Sequence, residues 1–311
     1  MPALICGSLA FDTIMIFRDQ FKNHILPDKV HILNVAFLVP DMRREFGGCA
    51  GNIAYNLKLL GEDPVPMATV GGDFGPYREH FASLGINLSQ VTEIPELFTA
   101  QAFITTDLDD NQITAFHPGA MSRSDENHVR NVADVEFGIV GPDSREAMIQ
   151  HASEFAERGI PFIFDPGQAM PLFQGDDFRT FIEQANYVTV NDYESHLLQE
   201  RTGWSVKQIA ERVDAYFVTR GPEGSLVHTR DETIEIAAAK PDKVCDPTGC
   251  GDAYRAGLIH GLTHGMDLAT CGRVASLMGA LKVAHPGTQN QHFDLDQFKA
   301  SFREQFEYSL D

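Results

Sequence analysis

The residues best suited to do chemistry stand together in Asp246-Pro247-Thr248-Gly249-Cys250-Gly251-Asp252, directly before the helical stretch Ala253–His264. A glycine-rich turn that opens a helix leaves backbone N–H groups unpaired beside the positive end of the helix dipole, which makes an anion site. A carboxylate straight after such a turn repels phosphate. Asp252 makes sense there if it takes a proton from a hydroxyl that attacks the phosphate held next door. A helix cap is the competing account, since Asp serves well at a helix start. No G-x-x-x-x-G-K-[ST] occurs, so this is not a Walker A loop.

Four other segments offer polar groups at turns. Phe46-Gly47-Gly48-Cys49-Ala50-Gly51-Asn52 puts paired glycines before a helix, where backbone can approach a ligand closely, and Asn52 can offer a hydroxyl pair both donor and acceptor. Asn191 and Glu194 share a helix face at a strand end. They could hold a hydrated Mg²⁺, or simply form a capping box, whose spacing they match fully. Thr219-Arg220-Gly221-Pro222-Glu223-Gly224 is a phosphate-friendly turn and equally an ordinary β-turn. Gly7-Ser8-Leu9-Ala10-Phe11-Asp12 sets Asp12 just after the first strand, at the carboxyl edge where open α/β sheets bind ligands.

These segments need a scaffold, and hydrophobic periodicity supplies one. Ala3–Cys6, Pro66–Val70, Phe137–Val140, Pro161–Phe164, Tyr187–Val190 and Tyr216–Thr219 read as short buried strands. Gly51–Leu60, Arg145–Arg158, Phe178–Ala185, Asp192–Thr202, Asp252–His264, Leu268–His285 and Leu295–Tyr308 read as helices. The alternation predicts a mostly parallel sheet covered by helices on both faces. Residues 30–39 read as a strand between Pro27 and Pro40. Residues 98–117 read as a hairpin turning at Asp107–Asn111, and Ser225–Thr229 with Thr233–Ala237 as a second one. The pieces 14–46 and 98–120 break the alternation. They are expected to form a small antiparallel sheet, a lid over a site, inserted into a body of residues 1–13, 47–97 and 121–311.

Composition narrows the function classes. The chain has 311 residues and 43% hydrophobic content, ordinary globular usage that fits one large α/β domain or two smaller ones. Its 44 acids against 24 bases give a net charge of −20, and no basic cluster exceeds Arg43-Arg44, so no nucleic-acid partner is expected. Five cysteines without a C-x-x-C suit reduced thiols in the cytoplasm. No apolar run approaches the ~20 residues of a membrane span, and residues 1–10 lack a signal-peptide pattern.

In order along the chain, the early Asp, G-G-x-x-x-N, N-x-x-E, T-x-G-x-x-G and D-P-T-G-x-G-D resemble the ribokinase-like (PfkB-type) carbohydrate/nucleoside kinases over the whole length. Within them the chain is most similar to actinobacterial-type adenosine kinases, through Leu38-Val39, Phe116-His117-Pro118-Gly119-Ala120-Met121-Ser122, Thr202-Gly203-Trp204-Ser205 and Gly287-Thr288-Gln289. The resemblance implies a ribokinase-like fold and ATP-dependent phosphorylation of the 5′-hydroxyl of adenosine, or of a sugar (ribose, fructose or a keto-deoxy sugar acid) in a related enzyme. It implies Asp252 as base, Gly249, Cys250 and Gly251 as anion hole, and Asn191 and Glu194 as the residues ordering Mg²⁺, through water, and phosphate. Thr219, Gly221 and Gly224 would line the ATP site. Ser8, Asp12, Gly47, Gly48 and Asn52 would hold the substrate's hydroxyls, with Phe116 and Gln168 near the base. Asp246 and Thr248, with the Gly287–Gln289 loop, would bind a monovalent cation such as K⁺. A homodimer through the lid sheet is a further expectation. A non-catalytic relative is disfavoured by the presence of Asp252, Asn191 and Glu194.

Two departures touch the base pocket. Ala102 stands where relatives often carry an aromatic residue, while Phe103, one residue along, turns to the other face by the period of two. Asp165-Pro166-Gly167-Gln168-Ala169 has one Gln where relatives tend to have two. Among nucleoside and sugar, a neutral nucleoside is favoured: the apolar faces of Phe103 and Phe116 can stack on a base, and only Arg43 and Arg44 stand near the substrate turn to meet a charged sugar.

Overall fold

Strand residues alternate between two apolar clusters, and this builds the three layers of the molecule. Leu4 and Cys6 of the first strand pack with Phe155, Phe164 and Phe181. Ala3 and Ile5, pointing the other way, pack with Ile53, Leu258 and Ala275. A strand buried on both faces needs helices on both sides, and the chain supplies them.

The computed structural model describes residues 3–25, 32, 34–109 and 111–310. In chain order these contain β1 (Ala3–Cys6), β2 (Ala10–Ile16), β3 (Asp41–Gly47), α1 (Cys49–Leu59), β4 (Val65–Gly71), α2 (Gly75–Leu84), β5 (Val91–Ile94), β6 (Ala100–Thr106) and β7 (Gln112–His117). Then come β8 (Phe137–Val140), α3 (Arg145–Arg158), β9 (Phe162–Phe164), α4 (Gly175–Gln184), β10 (Tyr187–Asn191), α5 (Asp192–Thr202), α6 (Val206–Ala210) and β11 (Ala215–Thr219). The last elements are β12 (Ser225–His228), β13 (Thr233–Ile236), α7 (Cys250–Thr263), α8 (Leu268–Val283) and α9 (Leu295–Phe306).

The larger sheet runs β13-β12-β11-β10-β9-β8-β1-β4-β5 and is parallel except at its β12–β13 edge. Strand order reverses at β1, between β4 and β8, and ligands of open α/β sheets bind beyond the carboxyl ends of the strands at such a point. The smaller sheet runs β3-β2-β6-β7, antiparallel at its two outer pairs and parallel between β2 and β6. The ribokinase-like α/β architecture, with a mostly parallel central sheet and a small additional sheet, is therefore as expected. Among the described residues no helix is long and apolar enough to cross a membrane.

Three local expectations are corrected. Residues 34–39 carry no strand; the strand begins after Pro40, as β3, and residues 30, 31 and 33 of the expected strand lie outside the described residues. Asp12 lies within β2 of the smaller sheet, not at the end of a body strand, because Gly7-Ser8-Leu9 turns the chain early and a new alternating strand starts at Ala10. Between Val70 and residue 98 the sequence suggests no element, yet α2 and β5 stand there. Gly75-Pro76 and Gly85, which look like breakers, are that helix's start and its left-handed stop.

Candidate active site

The carboxyl ends of β1 and β8 converge on the start of α1. Gly141 N–H donates to the Cys6 carbonyl at 2.8 Å, and Cys49 Sγ donates to the Pro142 carbonyl at 3.3 Å. The Ser8 carbonyl accepts from Ala50 N–H at 3.0 Å, and its hydroxyl accepts from Cys49 N–H at 3.3 Å. Gly48, with φ +86°, makes this possible: a Cβ there would lie 2.5 Å from the Ser8 carbonyl oxygen. Asp12 lies against Gly47, and burial together with the nearby Glu45 carboxylate pushes its carboxyl up to about 6.

Asn52, one turn into α1, reaches the other glycine-rich turn. Its Nδ2 donates to Asp252 Oδ2 at 2.8 Å, and its Oδ1 accepts from Gln289 Nε2 at 3.0 Å. Gln289 also donates to the Tyr77 hydroxyl at 2.7 Å, which in turn donates to the Gly47 carbonyl at 2.8 Å. His80 meets Gln289 Oε1 at 3.0 Å through Nε2 and stacks on Phe46 with ring centres 4.3 Å apart. The orientation of Asn52 is thus fixed from behind. The Gln289 side chain serves this network, although its position in the sequence suggests the cation loop.

Asp252 has two competing readings in the sequence, and the geometry separates them. The helix cap is Gly249, at φ +78°, with no side-chain capping bond. Asp252 sits in the first turn with its carboxylate turned to Asn52. Burial pushes its carboxyl up to about 6; the Asn52 amide and the Arg255 guanidinium pull it down, and the Asp165 and Asp12 carboxylates add to the rise. A carboxylate with such a value is ionised near neutral pH and still able to accept a proton. Within the turn, Cys250 N–H is committed to the Pro247 carbonyl at 3.1 Å. Among the described residues the Gly251 and Asp252 N–H groups have no partner in the chain, so they are the amides open to an anion.

One turn further, Arg255 and Asp165 form a buried two-pronged ion pair at 2.5 and 2.8 Å. Sequence reading misses this pair, although a lone Arg inside the apolar run Ala253–Gly261 is a signal, since a buried guanidinium demands a carboxylate. Glu194 feels both charges, and burial raises its carboxyl. Asn191 and Glu194 make a complete capping box: Asn191 N–H donates to Glu194 Oε2, and Glu194 N–H donates to Asn191 Oδ1, each at 2.8 Å. Glu194 Oε1 has no partner among the described residues. Thr219, opposite Asn191 in the sheet, ends β11, and Gly221 and Gly224 flank the turn after it.

Phe116 and Gln168 stand apart from this group. Phe116 is 52% exposed on β7, and Gln168 is exposed in the turn after β9. The register nevertheless aligns Glu45, Asp12, Ala102 and Phe116 directly across the four strands, on one face of the smaller sheet. Phe103 pairs with Thr13 and Ala115 and turns to the opposite face, as period two requires.

A doubly covered parallel sheet, a helix-opening glycine turn with free amides and a carboxylate in its first turn, and a small sheet carrying Asp12 define a ribokinase-like phosphotransferase acting on an alcohol group. The model of the pfkB family of carbohydrate kinases matches residues 9–294, and the chain belongs to that family. The nucleoside kinase of Burkholderia thailandensis, solved in complex with inosine, is 52% identical, with 99% of each chain covered and a TM-score of 0.91. A second structure of that protein, in complex with ADP-inosine, is 53% identical, covering 99% of this chain and 97% of that one, with a TM-score of 0.88. The nucleoside kinase of Methanocaldococcus jannaschii is 33% identical over 258 residues, 82% of this chain and 85% of the relative. The chain is a nucleoside or sugar kinase of this family.

Proposed function

We propose that the protein transfers the γ-phosphoryl group of ATP to the 5′-hydroxyl of a nucleoside, adenosine foremost. The observation that carries this is the 2.8 Å contact between Asn52 and Asp252. A side chain able to hold a ribose hydroxyl touches the carboxylate beside the anion turn, so a substrate gripped by its ring hydroxyls presents its primary hydroxyl to the base. Asp252 takes the proton of that hydroxyl, the oxygen attacks the γ-phosphorus, and the bond to the bridging oxygen of ADP breaks. The Gly251 and Asp252 amides, with Gly249 fixing the turn, receive the charge of the transferring group. The relative solved with ADP-inosine supports both ligand classes.

Glu194, with one carboxylate oxygen uncommitted, and Asn191 would hold a hydrated Mg²⁺, which supplies neutralisation of the phosphate charges. Thr219, Gly221 and Gly224 would border the nucleotide. The smaller sheet acts as the lid, with Asp12 toward the sugar and Phe116 toward the base. Its other face exposes Met42, Phe103 and Ile113, which favours a homodimer through that sheet. Five free thiols favour a cytoplasmic setting.

The sugar-kinase reading has support in the ATP-dependent ribose-1-phosphate kinase of Halopiger xanaduensis, 27% identical over 262 residues, 81% of this chain and 85% of the relative. The charges near the substrate turn favour the neutral substrate instead. Arg43 pairs with Glu45 at 3.2 Å, and Arg44 with Asp73 at 3.5 Å, its guanidinium lying over the Phe11 ring, so neither is free for an anionic sugar. A parallel assay of adenosine, inosine, ribose and ribose-1-phosphate with Mg-ATP decides. Turnover confined to the sugars overturns the nucleoside reading.

A further inference from the structure

The resemblance assigns a monovalent cation to Asp246 and Thr248, and the residues present do not fit one. Lys282, in the last turn of α8, is 0% exposed. Its ammonium donates to the Asp246 carbonyl at 2.8 Å and to the His285 carbonyl at 3.1 Å. Both oxygens of the Asp246 carboxylate are also taken: Oδ1 by Thr248 N–H and Oδ2 by Gly287 N–H, each at 2.9 Å. Two main-chain oxygens at the assigned site, one of them Asp246's own, are engaged by an ammonium, a cation of the same charge as K⁺ and similar size. Burial lowers the lysine's basicity, and the neighbouring Asp246 carboxylate offsets part of that.

The location gives this cation a task. It ties the strand of chain before the anion turn to the loop after α8. Cys245 and Asp246 N–H both donate to the Val283 carbonyl, at 2.8 and 3.1 Å, and Thr288 lies against Gly249. A Cβ on Gly249 would come within 3.1 Å of the Thr288 side chain, so the two loops are in register to a few tenths of an ångström.

We infer that Lys282 is a built-in monovalent cation: its ammonium positions the Gly249–Asp252 turn, so the enzyme works without K⁺. The inference rests on the kinase reading above, and the experiment keeps their failures apart. The wild-type enzyme is assayed with Mg-ATP in tetramethylammonium buffer, with and without KCl at equal ionic strength. The expected kcat and ATP KM are the same in both. Lys282→Ala, which leaves the carbonyls facing a void, is expected to lose about ten- to a hundredfold in kcat/KM for ATP, the factor that a hydrogen bond to a charged group corresponds to. KCl or NH₄Cl restores it, while the acceptor KM stays unchanged. Lys282→Met, which fills the space with an apolar chain, is not restored.

Thermal melts give a reading without turnover: K⁺ raises the melting temperature of Lys282→Ala over tetramethylammonium and leaves that of the wild type in place. A wild-type enzyme that gains activity or melting temperature from K⁺ specifically overturns the inference. So does a folded Lys282→Ala that no cation restores. Should the alanine variant fail to fold, the wild-type cation comparison still decides. Absence of phosphoryl transfer in every buffer would sink the kinase reading and leave the wild-type melt to judge this one.

Discussion

β1 and β2 are separated by three residues and meet opposite fates. Every residue of β1 is buried, with Leu4 and Ile5 wholly enclosed by different helical layers. β2 starts buried and ends at the exposed Ile16, and its distant neighbour β7 is exposed at every residue. The body thus holds charges where burial sets their behaviour: Asp252 is pushed up to about 6, and Asp165 is locked to Arg255. The small sheet carries Asp12 and the open ring of Phe116 on one face, the groups that the proposed function turns toward a substrate. A substitution in the body should change chemistry or stability for every substrate, whereas one in the small sheet should change which substrate is taken.

The largest expected effect belongs to the body. Asp252→Asn should lower kcat by about 10²–10⁴ while nucleoside binding survives, and retention of more than about a tenth of the wild-type rate removes the base role. If Asp252 is the base, the same carboxyl should set the pH profile. The base acts when ionised, so kcat/KM should fall as pH drops through about 6. The effect on stability runs the other way. A folded-state value above the ordinary 3.8 means that the stability Asp252 contributes is fully present below that value and lost as pH rises toward 6. Asp252→Asn should therefore be more stable than wild type at pH 7.5, by up to about 3 kcal/mol at about 1.4 kcal/mol per pKa unit, as a denaturant titration would read. The gain should vanish near pH 4.

Asp165→Asn should come next, costing about 3–5 kcal/mol by leaving Arg255 buried without its partner, as a denaturant titration would read. Phe116→Ala should leave the melt unchanged and cost about 1–3 kcal/mol in adenosine binding through lost base stacking, with ribose little affected. Equal losses on both substrates would assign Phe116 to packing of the small sheet and erase the contrast between the regions. Glu194→Gln is the smallest change. Gln completes a capping box equally well, so stability should hold while the Mg²⁺ requirement rises. An unchanged magnesium titration leaves Glu194 as a cap alone.

What the sequence made legible follows from how local each signal is. Asp192–Thr202 and Arg145–Arg158 are readable to the residue because caps and stop glycines mark their ends. The alternation of strands and helices carries the body, and the five turn motifs carry the candidate site. The pairings across hundreds of residues were not legible: Asn52 with Asp252, Gln289 with Tyr77, Thr288 with the Phe46 carbonyl. No period or cap encodes them. Lys282 hid for a related reason, since in sequence it looks like an ordinary basic residue in a helix's last turn and only three-dimensional packing encloses it. The described residues 34–39 carry no strand, because apolar composition alone does not fix pairing, while pairing with β2 selected the more polar Asp41–Gly47.

The parallel pairing of Ala10 with Ala100 has a kinetic meaning. Between those residues lie β3, α1, β4, α2 and β5, so their pairing closes a long loop through the body. Loop-closure entropy is met by the body's contacts first, and only then does the small sheet gain its hydrogen bonds. The small sheet is consequently expected to assemble late and to come undone early. Opening at that seam costs less than global unfolding and leaves the body's core intact. If the small sheet is the lid proposed above, the motion that admits and releases a substrate would be a fragment of the unfolding pathway, with the β4–β5 pair staying behind.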